Sequence, residues 1–201
     1  MGGDLQWTEV AGFTFGIATV GLIVRESIWN WPTAILMAGF YCWVFFVAKL
    51  YADVVINAIF IPTAIYGWVS WLRGREGKSK MRIRSLSRWH VFTIVAALLV
   101  VTPFAVAILI AEQDSSAYLD GASAALALVA EYLLTRKFIE NWLFWVGADV
   151  IYIVLYVSRH LYLTAVLCSL FIILSVVGWR QWRASQSQPS GGLVDLPLAS
   201  V

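Results

Sequence analysis

Apolar residues in this chain run in blocks long enough to cross a bilayer, with little between one block and the next. A hydrocarbon core of about 30 Å takes roughly 20 residues of helix, and inside it only a helix or a closed barrel satisfies the backbone polar groups. Seven such spans can be drawn: about Val10 to Val24, Trp31 to Ala48, Ala52 to Trp71, Val91 to Ala111, Tyr118 to Leu134, Asn141 to Ser158 and Leu161 to Trp179. Of the 201 residues 61% are hydrophobic and 13% charged, too little charge for a soluble domain of this size. The expectation is an all-α integral membrane protein with seven transmembrane helices. The first block does not read as a signal peptide: it lacks a basic head and a small-residue cleavage site, and Asp4 and Glu9 precede it.

The connections Arg25–Asn30, Lys49–Tyr51 and Arg159–His160 are short, so the helices they join are antiparallel neighbours. Cys42 and Cys168 both lie in apolar segments and read as packed thiols rather than a disulfide. His90 and His160 sit at segment ends, and no metal-ligand spacing is present, so no metal or cofactor is expected. No nucleophile–base pair, HExxH or phosphate-binding glycine loop points to an enzyme.

Charge placement sets the orientation. The loop after the third span carries Arg73, Arg75, Lys78, Lys80, Arg82, Arg84 and Arg88 against Glu76, which places it in the cytoplasm. The N-terminus is then periplasmic and the C-terminus cytoplasmic. Arg136, Lys137, Arg180 and Arg183 fall inside, and the Glu112/Asp114 loop falls outside. In a soluble protein such a basic loop would suit nucleic acid; between spans it is a topology determinant beside the anionic lipid bilayer, and no nucleic-acid partner is implied. The Ser/Gln/Pro/Gly-rich tail is expected to be disordered.

The chain also resembles itself. With a shift of 111 residues (141 − 30 = 111), Asn30-Trp31 falls on Asn141-Trp142, Tyr41 on Tyr152, Leu50-Tyr51 on Leu161-Tyr162, Gly67-Trp68 on Gly178-Trp179 and Trp71 on Trp182, without a gap. The spans therefore read as two parallel three-helix repeats plus a linker helix (3+1+3), an arrangement that places substrate at the repeat interface near the midplane. The expected organisation is an extracellular or periplasmic N-terminus at 1–9, a first bundle at 10–72, a basic loop and linker helix at 73–111, a second bundle at 112–183 and a tail at 184–201.

Asp149 stands deep inside a span. A charge at the bilayer centre costs roughly 2.5–3.5 kcal/mol, so Asp149 has either a substrate or a neighbouring helix to bond. At helical spacing Trp142, Trp145, Asp149, Tyr152 and Tyr156 share its face. Asp149 lies about 12 Å from the cytoplasmic end, and Asn57 about 9 Å from the outer end of span three. The repeat places Ala34 and Ala38 opposite Trp145 and Asp149, so the second triplet has bulk and charge where the first is small. Indole faces stack on rings and attract cations. Glu131, one turn inside span five, is open to three readings: snorkelling, pairing with Arg136, or lining a pathway. Tyr51, Asp53 and Tyr162 near the outer face are gate elements or interfacial belt. For most of Trp31, Trp68, Trp71, Trp142, Trp179 and Trp182 a belt is expected, and mid-span Pro62 is expected to kink helix three.

The ordered motifs Asn30-Trp31-Pro32, Lys49-Leu50-Tyr51-Ala52-Asp53, Tyr66-Gly67-Trp68-Val69-Ser70-Trp71-Leu72-Arg73-Gly74, Tyr132-Leu133-Leu134-Thr135-Arg136-Lys137, Glu140-Asn141-Trp142 and Leu161-Tyr162-Leu163-Thr164-Ala165 resemble the PnuC family of vitamin transporters over about residues 10 to 183. The resemblance implies a fold like that of full-length SWEET transporters and a homotrimer in the bacterial inner membrane. It implies uptake of nicotinamide riboside by facilitated diffusion, with trapping by cytoplasmic phosphorylation; the alternative is a thiamine carrier of the same family. It also implies that Trp142, Trp145 and Asp149 correspond to the family's binding motif. Asn57 and Glu131 stand where nicotinamide riboside carriers often have glutamine. On this reading Trp142 and Trp145 stack on the ring of the vitamin, Asp149 and Asn57 bond its polar half, Tyr41 and Tyr152 close the pocket, and Tyr51, Tyr162 and Glu131 are candidate gates.

Overall fold

The computed structural model describes residues 2–76, 82–111 and 116–187. Among these residues it has seven helices: α1 Gly2–Val24, α2 Asn30–Val47, α3 Tyr51–Glu76, α4 Arg88–Ala111, α5 Ala117–Thr135, α6 Asn141–Ser158 and α7 Tyr162–Ser187. All seven are long and apolar enough to cross a membrane. Three run beyond their expected limits. The helix of α1 begins at Gly2 rather than near Val10, α3 continues to Glu76, and α7 continues to Ser187 past the expected start of the tail at residue 184. Hydropathy marks where a chain crosses lipid; helical hydrogen bonding persists into the polar region beyond. The tail after Ser187, Lys78 and Lys80, and the Glu112/Asp114 loop lie outside the described residues.

Four helices end the same way. Glu26, Lys49, Lys137 and His160 have φ of 52°, 60°, 54° and 60°. After α1, Ser27 N–H donates to the Leu22 carbonyl at 2.9 Å and Glu26 N–H to Ile23 at 2.9 Å; after α5, Phe138 N–H donates to Leu133 at 2.9 Å and Lys137 N–H to Leu134 at 3.0 Å. The same pair of bonds closes α2 at Leu50 and α6 at Leu161. This left-handed ending satisfies the orphan carbonyls of a last turn, and it ordinarily uses glycine. A side chain there costs about 1–2 kcal/mol, so these turns are held by what surrounds them. Glu26 and Lys137, like Lys49 and His160, are 111 residues apart. Pro62 sits within a continuous α3, where it cannot donate to the backbone; the next hydroxyl, Thr63 Oγ1, donates to the Ile59 carbonyl at 2.7 Å.

The tryptophans of the repeat are packing elements. Asn30 and Asn141 each donate Nδ2 to a carbonyl three residues back, Ser27 and Phe138, at 2.6 Å in both cases. The next residues, Trp31 and Trp142, lie against Gly67 and Gly178 so closely that a Cβ on either glycine would fall inside the indole ring's contact distance. Trp71 meets Trp31 edge-on at 5.3 Å, and Trp182 meets Trp142 at 5.4 Å. Trp31, Trp71, Trp142 and Trp182 are buried, which corrects the expected interfacial belt: the glycines seat Trp31 and Trp142 inside the bundle, and Trp71 and Trp182 pack on those two rings.

Within the first triplet α2 packs on α1 and α3; within the second α6 packs on α5 and α7. Between triplets α1 meets α7 and α3 meets α5, contacts that map onto one another under the 111-residue shift, while α4 packs on α5. Helix α4 leaves Trp89, Phe92, Leu99 and Val100 exposed, as suits a face turned to lipid. Two apolar clusters close the molecule. One, around Trp31, Trp71, Trp142 and Trp182, lies where α1 and α5 end. The other, around Tyr41, Phe45, Tyr156 and Leu167, lies where α2 and α6 end.

Candidate functional site

Between the two clusters lies a cavity of about 130 Å³, lined among the described residues from every helix except α4. One water needs roughly 10–15 Å³ on this measure, so the space suits something larger than a buried water. The lining pairs up in the 111-residue register. Trp31 and Trp142, Tyr41 and Tyr152, Phe60 and Phe171, Ile23 and Leu134, and Ile56 and Leu167 all line it. Other pairs line it with different chemistry: Val20 and Glu131, Ala34 and Trp145, Phe45 and Tyr156, Asn57 and Cys168, Ala64 and Ser175.

All six residues expected to bind substrate meet here: Tyr41, Asn57, Trp142, Trp145, Asp149 and Tyr152. Asp149 on α6 is 3% exposed, and its Oδ2 has no hydrogen-bond partner. Trp145, one turn away, meets Phe60 of α3 at 6.0 Å and 61°. Asn57 Nδ2 donates to the Asp53 carbonyl at 2.9 Å, which ties the amide to its own helix. Tyr152 stacks on Tyr156 at 5.4 Å, Tyr156 on Phe45 at 5.5 Å and Phe45 on Tyr41 at 5.4 Å. This aromatic column joins α6 to α2 and forms the wall at the α2/α6 end.

Of the candidate gates, Glu131 lines the cavity, is 7% exposed and makes no ion pair among the described residues. It therefore neither snorkels nor pairs with Arg136, and it faces the cavity. Tyr51 and Tyr162 are 59% and 58% exposed and stand outside the lining. Tyr51 lies edge-on to Phe46, and Tyr162 shares a 2.9 Å hydrogen bond with His160.

Thr19, Asn30 and Trp31, not expected at the site from sequence, also line the cavity. Among the described residues, their Oγ1, Oδ1 and Nε1 atoms are buried there without partners, as are Trp142 Nε1 and Tyr41 OH of the expected set. An unmade buried hydrogen bond costs about 1–3 kcal/mol, and these atoms group around one cavity. Cys168 and Cys42 are both free thiols; Cys168 lines the cavity and Cys42 does not. The register was the usable signal, because Trp31 and Cys168 are the counterparts of the proposed binding residues Trp142 and Asn57. Arg159 gave no such signal. It joins Asp53 at 3.3 Å and Asp120 at 3.0 Å just beyond the aromatic column.

Seven helices of spanning length around a cavity with buried polar atoms in its lining form an architecture suited to a multi-pass membrane transporter. The chain belongs to the family described as nicotinamide mononucleotide transporter, whose model matches residues 6–184. It is 28% identical over 207 residues to the nicotinamide riboside transporter PnuC of Escherichia coli (strain K12), covering 90% of this chain and 87% of that one. It is 25% identical over 181 residues to the riboflavin/roseoflavin transporter RibM of Streptomyces davaonensis, covering 88% and 84%. The crystal structure of the vitamin B3 transporter PnuC shares the fold, with a TM-score of 0.78 at 20% identity over 90% of this chain and 82% of that chain.

Proposed function

We propose that this chain takes up nicotinamide riboside across the bacterial inner membrane by facilitated diffusion. The observation that carries this reading is the acidic lining of the cavity. Asp149 and Glu131 line it, and among the described residues no Lys, Arg or His does. A nucleotide would bring its phosphate against two acids with no base to receive it, whereas a riboside with a cationic ring brings the complementary charge. Trp145 and Trp142 offer faces to the ring, and Asp149, Asn57, Tyr41 and Tyr152 surround it with polar atoms. Thiamine, also a cationic aromatic vitamin, is the second reading, because the same pair of acids would serve it. Riboflavin has no such charge for them to meet.

The distribution of basic residues supports a periplasmic N-terminus and a cytoplasmic C-terminus. The two triplets, 10–72 and 112–183, rock about the cavity as bodies. Phosphorylation inside the cell traps the cargo, and the carriers assemble as trimers. Calorimetric titration of purified protein with nicotinamide riboside, thiamine and nicotinamide mononucleotide tests the cargo. Binding of neither vitamin ends the reading, and mononucleotide binding as tight as the riboside ends the charge argument. Uptake of labelled riboside by proteoliposomes without ATP or an ion gradient tests the mechanism.

A further inference from the structure

Two sets of polar contacts join the triplets, one beyond each end of the cavity. Where α1 and α5 end, Lys137 Nζ donates to Glu26 Oε2 at 2.7 Å and stands 4.4 Å from the centre of the Trp71 ring. These residues sit three positions past Ile23 and Leu134, which line the cavity. Where α2 and α6 end, the Tyr156 hydroxyl donates to Asp53 Oδ1 at 3.1 Å, and Arg159 binds the other oxygen of Asp53 as well as Asp120.

Glu26 and Lys137 are counterparts in the 111-residue register, and so are Phe45 and Tyr156, whose rings stack. A residue that touches its own counterpart lies where the two halves meet, so its contact spans both and is lost when they part at that end. We propose that these contacts are two latches. Glu26–Lys137, seated on Trp71, holds the cavity shut at the α1/α5 end. Phe45–Tyr156, braced by Asp53 and Arg159, holds it shut at the α2/α6 end. Each latch gates its own side. The outer latch also senses the cavity, because Tyr156 lines it and bonds Asp53 at once.

The proposal rests on the transporter reading but not on the cargo, since Cys168 provides a readout that needs no ligand. In a Cys42→Ser background Cys168 is the single thiol of the chain, and it lines the cavity. Oriented vesicles are treated from one side or the other with a small, impermeant cationic methanethiosulfonate. Lys137→Met is expected to speed Cys168 modification about tenfold, a shift of about 1.4 kcal/mol in the opening equilibrium. The gain is expected only from the α1/α5 side, which is cytoplasmic in the proposed orientation. Asp53→Asn is expected to do the same only from the opposite side. Exchanging the charges, Glu26→Lys with Lys137→Glu, is expected to restore the parental rate, since both positions share one backbone conformation and each already carries a long side chain. If Lys137→Met does not fold, Glu26→Gln replaces it. Unchanged rates, equal gains from both sides in a single variant, or an exchange that does not restore the rate would overturn the proposal. A failed vitamin-binding assay with side-specific modification intact would remove the cargo assignment and leave the latches standing.

Discussion

On α2 the cavity meets Ala34 where on α6 it meets Trp145, and on α1 it meets Val20 where on α5 it meets Glu131. Between these positions the triplets agree closely. Both tie an asparagine amide to a turn carbonyl, both press a tryptophan onto a glycine, and both end two helices in left-handed turns. What is shared is therefore packing, and what differs is the chemistry offered to a guest. The acids, the extra indole and the serine hydroxyl at Ser175 all come from the second half. A duplicated frame needs only a few changes on one side of an enclosed space to turn it from a void into a site.

The largest expected effect of breaking this contrast is at Asp149. Asp149→Ala removes the charged partner of the cargo and is expected to weaken nicotinamide riboside binding about 100-fold, or about 2.7 kcal/mol, by calorimetry. An effect below threefold would take Asp149 out of the site. The shared frame comes next. Gly67→Ala and Gly178→Ala each place a methyl group into an indole ring. Each is expected to cost about 1–3 kcal/mol of stability despite a helix-propensity gain of about 1 kcal/mol. Thermal denaturation in detergent should show similar losses for both; a loss at one glycine alone would mean that the halves are not held the same way. The smallest effect is Trp145→Ala, which turns the position into a copy of Ala34. It is expected to lower affinity about tenfold, or about 1.4 kcal/mol, without a matching loss of stability.

Most of the frame was legible in the sequence because its signals are local: apolar length, a helix-spaced stripe through Asp149, and tryptophans at a fixed offset. The stripe pointed to the cavity lining, since a buried acid in lipid requires a partner and its helical neighbours share its surroundings. Facing was harder. Tyr51 and Tyr162 read as gates from depth alone, yet both turn outward, because a helix apolar all round gives no sign of which side meets protein. Trp31 and Trp71 read as belt because the usual place of tryptophan near a helix end is the interface; Trp31 is instead seated on Gly67 of another helix, and Trp71 packs edge-on against Trp31. The contact between Glu26 and Lys137 was the least visible. It joins the two repeats at equivalent positions, and the sequence register reveals equivalence but not which equivalent residues touch.

The paired lining has a consequence for the pose of whatever enters. A wall made wholly of matching residues would accept a molecule in two orientations related by exchange of the halves, with equal free energy. Each orientation would present different atoms to Trp31 and to Trp142. Asp149 and Glu131 remove that degeneracy, because their counterparts Ala38 and Val20 cannot hold a charge or donate to one. A guest held by these acids would take one of the two orientations about the axis that relates the halves.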